Sequence, residues 1–234
     1  MSDRITTVGF DADDTLWQNE SFYRLTQARF AELLADHADP EHLDQRLLDA
    51  ERRNIGHYGF GIKGFMLSMI ETALDVTGDT LPAPVVREII AAGQEMLRHP
   101  VELLPHAREA VETLADSHRI VLITKGDLLD QERKLAQSGL GEMFHAVEIV
   151  SDKHRATYDR IFAQHGDGPE RAVMVGNSIK SDVLPAIEAG AHGVHVPHDL
   201  GWALEHAEPP DPGHDRFHVI QDLGALPRLV AEIG

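Results

Sequence analysis

Four short apolar runs constrain the fold of this 234-residue chain more than any other feature. They are rich in residues that favour strands, and most are followed by a segment of helical character. The runs are Ile5 to Phe10, Ile120 to Ile123, Ala172 to Val175 and Val194 to Val196. Strands that alternate with helices form a mostly parallel sheet with helices on both faces. We therefore expect an α/β fold with three layers, α/β/α, and a site at the carboxyl ends of the strands.

The alternation breaks between the first two runs. Residues 17–100 hold no strand-like run, and their apolar residues recur at helical spacing. Asp39 and Pro40 predict a helix start, since Asp caps a first turn and Pro fits its first position. Gly78 predicts a helix end. The sequence therefore predicts a helical domain, residues 17–100, inserted into a sheet domain formed by residues 1–16 and 101–234.

The chain is acidic, because 39 Asp and Glu residues stand against 21 Lys and Arg residues, a formal net charge of −18. Such a surface repels nucleic acid and anionic lipid, so we expect no nucleic-acid partner and no membrane partner. The absence of cysteine excludes disulfides and thiol catalysis. No apolar signal core or membrane-spanning stretch is evident. We expect a soluble cytoplasmic protein, whose oligomeric state the sequence leaves open.

The segment from Phe10 to Leu16 places three carboxylates, Asp11, Asp13 and Asp14, where a buried strand should end. Carboxylates this close repel one another, and they persist together when a cation neutralises them or one keeps a proton. Strand alternation directs Asp11 and Asp13 to the same side, so the pair can hold one Mg²⁺ and flank one substrate. A solvated acidic turn or a helix cap is the alternative interpretation.

Polar residues also follow later apolar runs. The hydroxyl of Thr124 and the N–H of Lys125 suit a phosphate oxygen, although a Thr cap of the next helix gives the same pattern. Lys153 precedes a helical segment, where it is either a fixed positive charge or a solvated loop lysine. Asn177 and Asp182 offer the oxygen ligands that Mg²⁺ prefers.

The order of these elements is more specific than any one of them. An Asp-x-Asp-Asp-Thr segment, a Thr after the second run, a downstream Lys and a Gly-Asn-Ser-x-x-x-Asp segment resemble the four motifs of the haloacid dehalogenase superfamily. The resemblance spans nearly the whole chain and implies a Rossmann-like parallel sheet core. The inserted helices resemble that family's C1-type cap, which closes over the site and chooses the substrate. The resemblance also implies Mg²⁺ as the cofactor.

Carried over by position, the resemblance makes Asp11 the nucleophile that forms an aspartyl phosphate. It makes Asp13 the acid and base that protonates the leaving alcohol and then activates water. It assigns the phosphoryl oxygens to Thr124, the Lys125 N–H and Lys153. The implied metal ligands are Asp11, the backbone carbonyl of Asp13, Asn177 and, through water or by orienting the others, Asp182.

Two positions depart from the family pattern. Asn177 stands where the family usually has Asp, and we expect the lost charge to weaken Mg²⁺ binding or alter the metal preference. Lys125 stands where Asn is common in relatives. Its ammonium either adds positive potential for a more anionic substrate or points outward.

These motifs predict a Mg²⁺-dependent phosphatase that hydrolyses a small phosphorylated metabolite. Asp13 argues against a true haloacid dehalogenase, which lacks Asp at that position. The alternatives are a carbon-bond-cleaving relative and a non-catalytic binder of a phosphorylated ligand, which Asn177 would permit. A phosphonate hydrolase would need a Schiff-base lysine in the cap, for which Lys63 is the candidate. We favour instead a cap loop shaped by the neighbouring glycines, with Lys63 in contact with substrate or water. A signalling receiver domain would be much shorter and would lack the helical insertion.

Overall fold

The computed structural model describes residues 4–234. The chain divides into two compact units. The first contains the described residues up to Glu20 together with Val101–Lys125 and Gln131–Gly234. The second contains Ser21–Pro100 and Gly126–Asp130.

Six strands and nine α-helices are assigned within residues 4–234. The strands are β1 Thr7–Phe10, β2 Arg119–Lys125, β3 Ala146–Val150, β4 Ala172–Gly176, β5 His192–His195 and β6 Phe217–Val219. The helices are α1 Glu20–Leu33, α2 Pro40–Tyr58, α3 Ile62–Val76, α4 Ala83–Met96, α5 Ala107–Ala115, α6 Leu128–Ser138, α7 Arg155–His165, α8 Leu184–Ala189 and α9 Leu226–Ile233.

The strands form one fully parallel sheet in the order β3-β2-β1-β4-β5-β6. Successive residues of its central strands enter different apolar clusters. In β2, Ile120 and Leu122 pack in one cluster, whereas Val121 and Ile123 pack in another. This period of two shows that the sheet is buried on both faces. The structure confirms the predicted α/β fold with a Rossmann-like parallel sheet.

The apolar runs predicted four of the six strands and missed β3 and β6. These two are the edges of the sheet. Every residue of β3 is at least partly exposed, and one of them is the charged Glu148. β6 is only three residues long. Edge strands are often short and carry charge, so they lack the apolar run that marks a central strand.

The helices α1 to α4 fill the insertion, and none of residues 17–100 belongs to a strand of the sheet. Asp39 caps α2 as predicted, because its Oδ1 accepts the His42 N–H at 3.0 Å and Pro40 is the first helical residue. The core of the second unit is formed by Phe30, Leu34, Leu43, Leu47, Ile62, Phe65, Met69, Ala73, Ile89 and Met96. Across residues 4–234, no helix is both long enough and apolar enough to span a membrane.

Candidate active site

The carboxyl ends of β2, β1 and β4 lie side by side at one end of the sheet. Phe10 pairs with Leu122 on one side and with Val175 on the other. The alignment continues for one more residue, because the Asp11 N–H donates to the Val175 carbonyl at 2.8 Å. Asp11 therefore emerges from the centre of the sheet, next to the segment that follows β4.

Lys153 joins two buried carboxylates in this region. Its ammonium lies 2.5 Å from Asp11 Oδ1 and 2.7 Å from Asp182 Oδ1. The side chain of Lys153 is 2% exposed, that of Asp182 is 1% exposed and that of Asp11 is 10% exposed. When all three groups are ionised, they carry one negative charge in excess.

The pKa values in this cluster reflect the excess charge. Burial raises the pKa of Asp11 to about 7, against the lowering effect of Lys153 and with a further rise from Asp182. Burial by itself would lower the pKa of Lys153, but Asp11 and Asp182 raise it well above its ordinary value. Lys153 therefore stays an ammonium, while Asp11 binds a proton readily unless further positive charge joins the cluster.

Thr15 connects Asp11 with the segment after β4. Its hydroxyl oxygen lies 3.1 Å from Asp11 Oδ2 and 3.4 Å from Asn177 Oδ1. The same oxygen accepts the backbone N–H of Asn177 at 3.1 Å. The side-chain oxygens of two predicted metal ligands are therefore both within hydrogen-bonding reach of one hydroxyl.

The Gly-Asn-Ser-x-x-x-Asp spacing has a structural reason. A π-helical turn, Ile179–Val183, follows Ser178, whose Oγ accepts the Ser181 N–H at 3.0 Å. The turn brings Asp182 back to the end of β4, where its Oδ2 accepts the Ser178 N–H at 2.9 Å. A Cβ at Gly176 would overlap with the Asp182 carboxylate, so this position needs glycine.

Asp13 has a separate set of partners. Its Oδ1 accepts the Trp17 Nε1–H at 2.7 Å and lies 2.9 Å from Lys134 Nζ. Its Oδ2 accepts a Gln131 Nε2–H at 2.8 Å and lies 3.1 Å from Lys134 Nζ. Asp11 and Asp13 thus follow the same strand, but each contacts its own lysine.

Asp14 is the residue to which the helix-cap interpretation applies. Its carboxylate accepts the N–H of Asn19 at 2.9 Å and that of Glu20, the first residue of α1, at 3.0 Å. Burial raises the pKa of Asp14 despite these two backbone donors. Asp14 therefore holds the start of α1.

The Lys125 ammonium does not point outward, and a carboxylate balances its charge. It lies 2.6 Å from Glu205 Oε1 and 2.8 Å from Ser181 Oγ. Glu205 also accepts hydroxyl hydrogens from Ser178 and Ser181. Burial raises the pKa of Glu205, but Lys125 and the hydroxyl donors outweigh burial and the net shift is downward. The expectation of extra positive potential at Lys125 is therefore not supported.

Thr124 lies at the end of β2 and is 1% exposed. Its hydroxyl donates to the Lys125 carbonyl at 3.2 Å, a long contact that a phosphate oxygen could replace. Its role as a phosphate ligand stays a prediction.

A family model described as haloacid dehalogenase-like hydrolase matches residues 5–190. This chain belongs to that family. A haloacid dehalogenase-like family hydrolase from Xanthomonas campestris has a similar structure, with a TM-score of 0.86 at 38% identity over 98% of this chain and 96% of that chain. A glyceraldehyde 3-phosphate phosphatase from Methanothermobacter thermautotrophicus is 27% identical over 97% of this chain and 100% of its own length.

Two solved structures of lower identity share the fold of this hydrolase. A magnesium-bound hydrolase from Bacillus subtilis, YfnB, has a TM-score of 0.66 at 16% identity, over 97% of this chain and 99% of its own. An L-2-haloacid dehalogenase from Xanthobacter autotrophicus has a TM-score of 0.68 at 20% identity, over 98% and 100%. Because the similar proteins include a phosphatase and a dehalogenase, the reaction has to be argued from the site.

The donors in this haloacid dehalogenase-like site suit a hard divalent cation. The candidates are all oxygens, namely carboxylate, amide and backbone carbonyl, and the Asp11 cluster carries negative charge in excess. Within residues 4–234, no three His, Asp or Glu side chains form a group that could hold a metal ion by themselves. A cation here would therefore need the Asn177 amide and the Asp13 backbone carbonyl as well as Asp11.

Lys63, the second residue of α3, is paired within the second unit. Its ammonium lies 3.1 Å from Asp127 Oδ1, and its backbone N–H lies 3.4 Å from Asp127 Oδ2. Gly61 has φ 122°, and a Cβ there would lie 2.9 Å from the same carboxylate. The structure thus places Lys63 in the first turn of α3 with a carboxylate partner, and its role stays a prediction.

Sequence reasoning missed the partners of the motif residues. Gln131 and Lys134 lie three positions apart on α6 and are 3% and 7% exposed. Two polar residues at helical spacing on a buried face, directly after the second motif, were the signal that could have revealed them. Glu205 carried no comparable local signal, because it ends a short 3₁₀ turn, Ala203–Glu205, 80 residues after Lys125.

Proposed function

We propose that this hydrolase is a Mg²⁺-dependent phosphatase that acts on a small phosphorylated metabolite through an aspartyl phosphate. The observation that carries the proposal is the environment of Asp11. One of its oxygens contacts the buried Lys153 ammonium, and the other lies beside Thr15, close to the amide oxygen of Asn177. A nucleophile next to fixed positive charge suits attack on a phosphoryl group, whose oxygens carry negative charge in the transition state.

In the first step, a carboxylate oxygen of Asp11 attacks phosphorus while the bond between phosphorus and the ester oxygen breaks. The leaving oxygen takes a proton from Asp13, so that an alcohol departs. Thr124, the Lys125 N–H and the Lys153 ammonium bind the phosphoryl oxygens. The product of this step is a mixed anhydride between Asp11 and phosphate.

In the second step, water attacks the phosphorus of this anhydride and gives a proton to Asp13. The bond between phosphorus and the Asp11 oxygen breaks, which restores the Asp11 carboxylate and releases inorganic phosphate. Asp13 therefore ends the cycle protonated, as it began. Two carboxylates in different surroundings can divide nucleophilic and acid–base work in this way.

Mg²⁺ would be held by Asp11, the backbone carbonyl of Asp13 and Asn177, with Asp182 orienting the group, and it would supply the positive charge that the Asp11 cluster lacks. The magnesium-bound relative from Bacillus subtilis supports this choice of cation by analogy of fold. The inserted helical unit, residues 21–100, takes the role of substrate selection in this proposal.

A phosphate ester is favoured over a haloacid for two reasons. Displacement of halide from carbon needs no proton on the leaving group, so it gives no use to a carboxylate two residues after the nucleophile. The similarity to a glyceraldehyde 3-phosphate phosphatase also extends over nearly the whole of both chains. We therefore expect substrates that are small phosphorylated metabolites and name three-carbon sugar phosphates as the first class to try.

The proposal is tested by phosphate release from an aryl phosphate and a panel of phosphorylated metabolites, with Mg²⁺ and with chelator. We expect Mg²⁺-dependent release by the wild type and loss of release in Asp11→Asn, on the order of 10³-fold or more. Asp116→Asn is the matched control, since this carboxylate is exposed at the end of α5 and lies outside the site.

A parallel assay follows halide release from 2-haloacids. Halide release without phosphate release would overturn the proposal in favour of a dehalogenase. Neither product, in a protein that binds phosphorylated ligands, would favour the non-catalytic binder. Full activity in Asp11→Asn would remove Asp11 as the nucleophile.

A further inference from the structure

The partners of Asp13 form a defined cradle, by which we mean the side chains of Trp17, Gln131 and Lys134. They supply N–H donors to both oxygens of the Asp13 carboxylate, at distances from 2.7 to 3.1 Å. None of these three belongs to the motifs that indicate the family. All four residues lie in the first unit, so the cradle is internal to it.

The cradle is rigid because its members have further partners. The Lys134 ammonium also lies 2.8 Å from the Asn19 side-chain oxygen, which gives the ammonium an acceptor besides Asp13. Gln131 Nε2 also donates to the Lys125 carbonyl at 2.9 Å, which ties α6 to the end of β2. Trp17 is fully buried and cannot easily turn away. Ordering a side chain as long as that of Lys134 costs conformational entropy, and an exposed ion pair is too weak to offset this cost. Lys134 is only 7% exposed, so its ion pair with Asp13 is stronger than one at the surface.

A carboxylate that transfers protons has to be aimed, and an aspartate side chain can adopt several rotamers. The four N–H contacts to the two carboxylate oxygens of Asp13 select one of these rotamers. Misplacement of a catalytic group by about 1 Å can cost about 10²-fold in rate. The cradle is therefore of the right kind to control how well Asp13 reaches a leaving oxygen.

We propose that Lys134, assisted by Gln131, is a positioning residue that orients Asp13 for proton transfer to the leaving group. This inference rests on the proposed function, because it needs a reaction in which the leaving group takes a proton. Lys134 does not touch the substrate in this proposal and acts only through Asp13. The competing explanation is that Lys134 merely fastens α6 to the segment after β1.

The dependence of the rate on the leaving group separates these explanations. The leaving group of an activated aryl phosphate, such as dinitrophenyl phosphate, departs without protonation. The alkoxide of an alkyl phosphate needs a proton from a general acid. The value of kcat/KM reports the step in which the ester bond breaks. We expect Lys134→Met to lower kcat/KM for an alkyl phosphate by about 10- to 100-fold and to change it less than threefold for dinitrophenyl phosphate.

Three further variants complete the test. Lys134→Arg, which keeps an N–H donor and the charge, should recover part of the loss. Gln131→Met, which removes the second donor at nearly constant volume, should give the same selectivity at a smaller size. Lys134→Met added to Asp13→Asn should have no further effect on the alkyl ester, because the two residues act as one unit. Arg133→Met is the control for a lost positive charge on α6.

Each result decides the matter. Selective loss on alkyl esters together with non-additivity supports the positioning role. Equal loss on both ester classes, additive losses with Asp13→Asn, or faster turnover in Lys134→Met would overturn it while leaving the phosphatase intact. No phosphate release by the wild type from any ester would overturn the proposed function and this inference together. Unfolding midpoints of all variants show whether a loss reflects misfolding, and Gln131→Met carries the test if Lys134→Met does not fold.

Discussion

Asp11 and Asp13 leave the same strand two residues apart, yet their surroundings differ in charge. Around Asp11, two carboxylates share the single ammonium of Lys153. Around Asp13, one carboxylate meets the single ammonium of Lys134, and its other partners are neutral N–H donors. The Asp11 group therefore has a deficit of positive charge, because Asp11 shares its lysine with a second buried carboxylate.

Burial follows the same division. The Asp11 side chain is 10% exposed and that of Asp13 is 23% exposed. A buried excess of negative charge favours a bound cation. The Asp13 carboxylate is more exposed, and N–H donors of three side chains hold it. Asp11 and Asp13 belong to one short motif, but the distant lysine that each contacts gives each a different electrostatic environment.

Removal of Lys153 should have the largest effect on this comparison. Lys153→Met leaves Asp11 and Asp182 facing each other out of water, and breaking a buried ion pair by removing one partner costs about 3–5 kcal/mol. We expect the free energy of unfolding to fall by about 3 kcal/mol at pH 8. The fall should be smaller at pH 5, because one of the two carboxylates can then take up a proton. The measurement is urea-induced unfolding in chelator at both pH values.

The activity of Lys153→Met should fall by about 10²–10³-fold, since a donor that stabilises developing charge is lost. Lys180→Met is the control, because this exposed lysine donates to the Leu204 carbonyl and, within residues 4–234, to no carboxylate. We expect its free energy of unfolding to change by about 0.5 kcal/mol or less. Equal effects of the two substitutions would mean that the Lys153 cluster does not carry the charge described above.

The raised pKa of Asp11 should appear as a pH dependence of stability in the cation-free protein. In the folded chain Asp11 keeps its proton up to about pH 7, whereas in the unfolded chain it loses it near its ordinary value of 3.8. Between these values the folded state binds more protons, so its stability falls as the pH rises. Unfolding by urea in chelator, from pH 4 to pH 7.5, should show this slope.

Groups whose pKa is lowered in the folded chain oppose this trend, and they include His192, His195, His218 and Glu205. Burial lowers the pKa of His192 to about 4, so the unfolded state binds more protons between pH 4 and 6.5 and stability rises with pH there. The difference between wild type and Asp11→Asn isolates the Asp11 contribution, because both proteins retain all the other groups with shifted pKa values. A pH-independent difference would contradict the raised pKa.

Much of the fold could be predicted from the sequence because central parallel strands are buried on both faces and are therefore apolar throughout. β1 and β4 are fully buried, and both coincide with predicted runs. β3 and β6 were missed since edge strands need no such run. Within the expected insertion, the Asp39 cap of α2 was predicted from local sequence alone.

The candidate site could be predicted only as far as local patterns reach. Asp11, Lys153 and Asp182 were found by their order along the chain, and the structure brings them into contact. Lys134 lies 121 residues from the aspartate that it contacts. Its spacing from Gln131 marks a shared helix face but does not indicate which strand end that face meets. The charge balance of each carboxylate depends on such distant partners, so it could not be read from the motifs.

The smallest effect is expected when one carboxylate is added, either next to Asp11 or next to Asp13. Asn177→Asp places a further negative charge beside the Asp11 cluster, where positive charge is already lacking. We expect the Mg²⁺ concentration for half-maximal activity to fall about tenfold, about 1.4 kcal/mol, because the cation gains an ionised ligand. Mg²⁺ should also raise the unfolding midpoint of this variant at lower concentrations than in wild type, which reports binding without activity.

Asn19→Asp is the counterpart, since Asn19 contacts Lys134 and the new charge falls on the Asp13 side. Its Mg²⁺ affinity should stay within about twofold of wild type. The added charge lies next to the Lys134 ammonium, which offsets it, so its interaction with the cation is weak. Equal gains in Mg²⁺ affinity from both substitutions would mean that the two aspartates share one electrostatic environment.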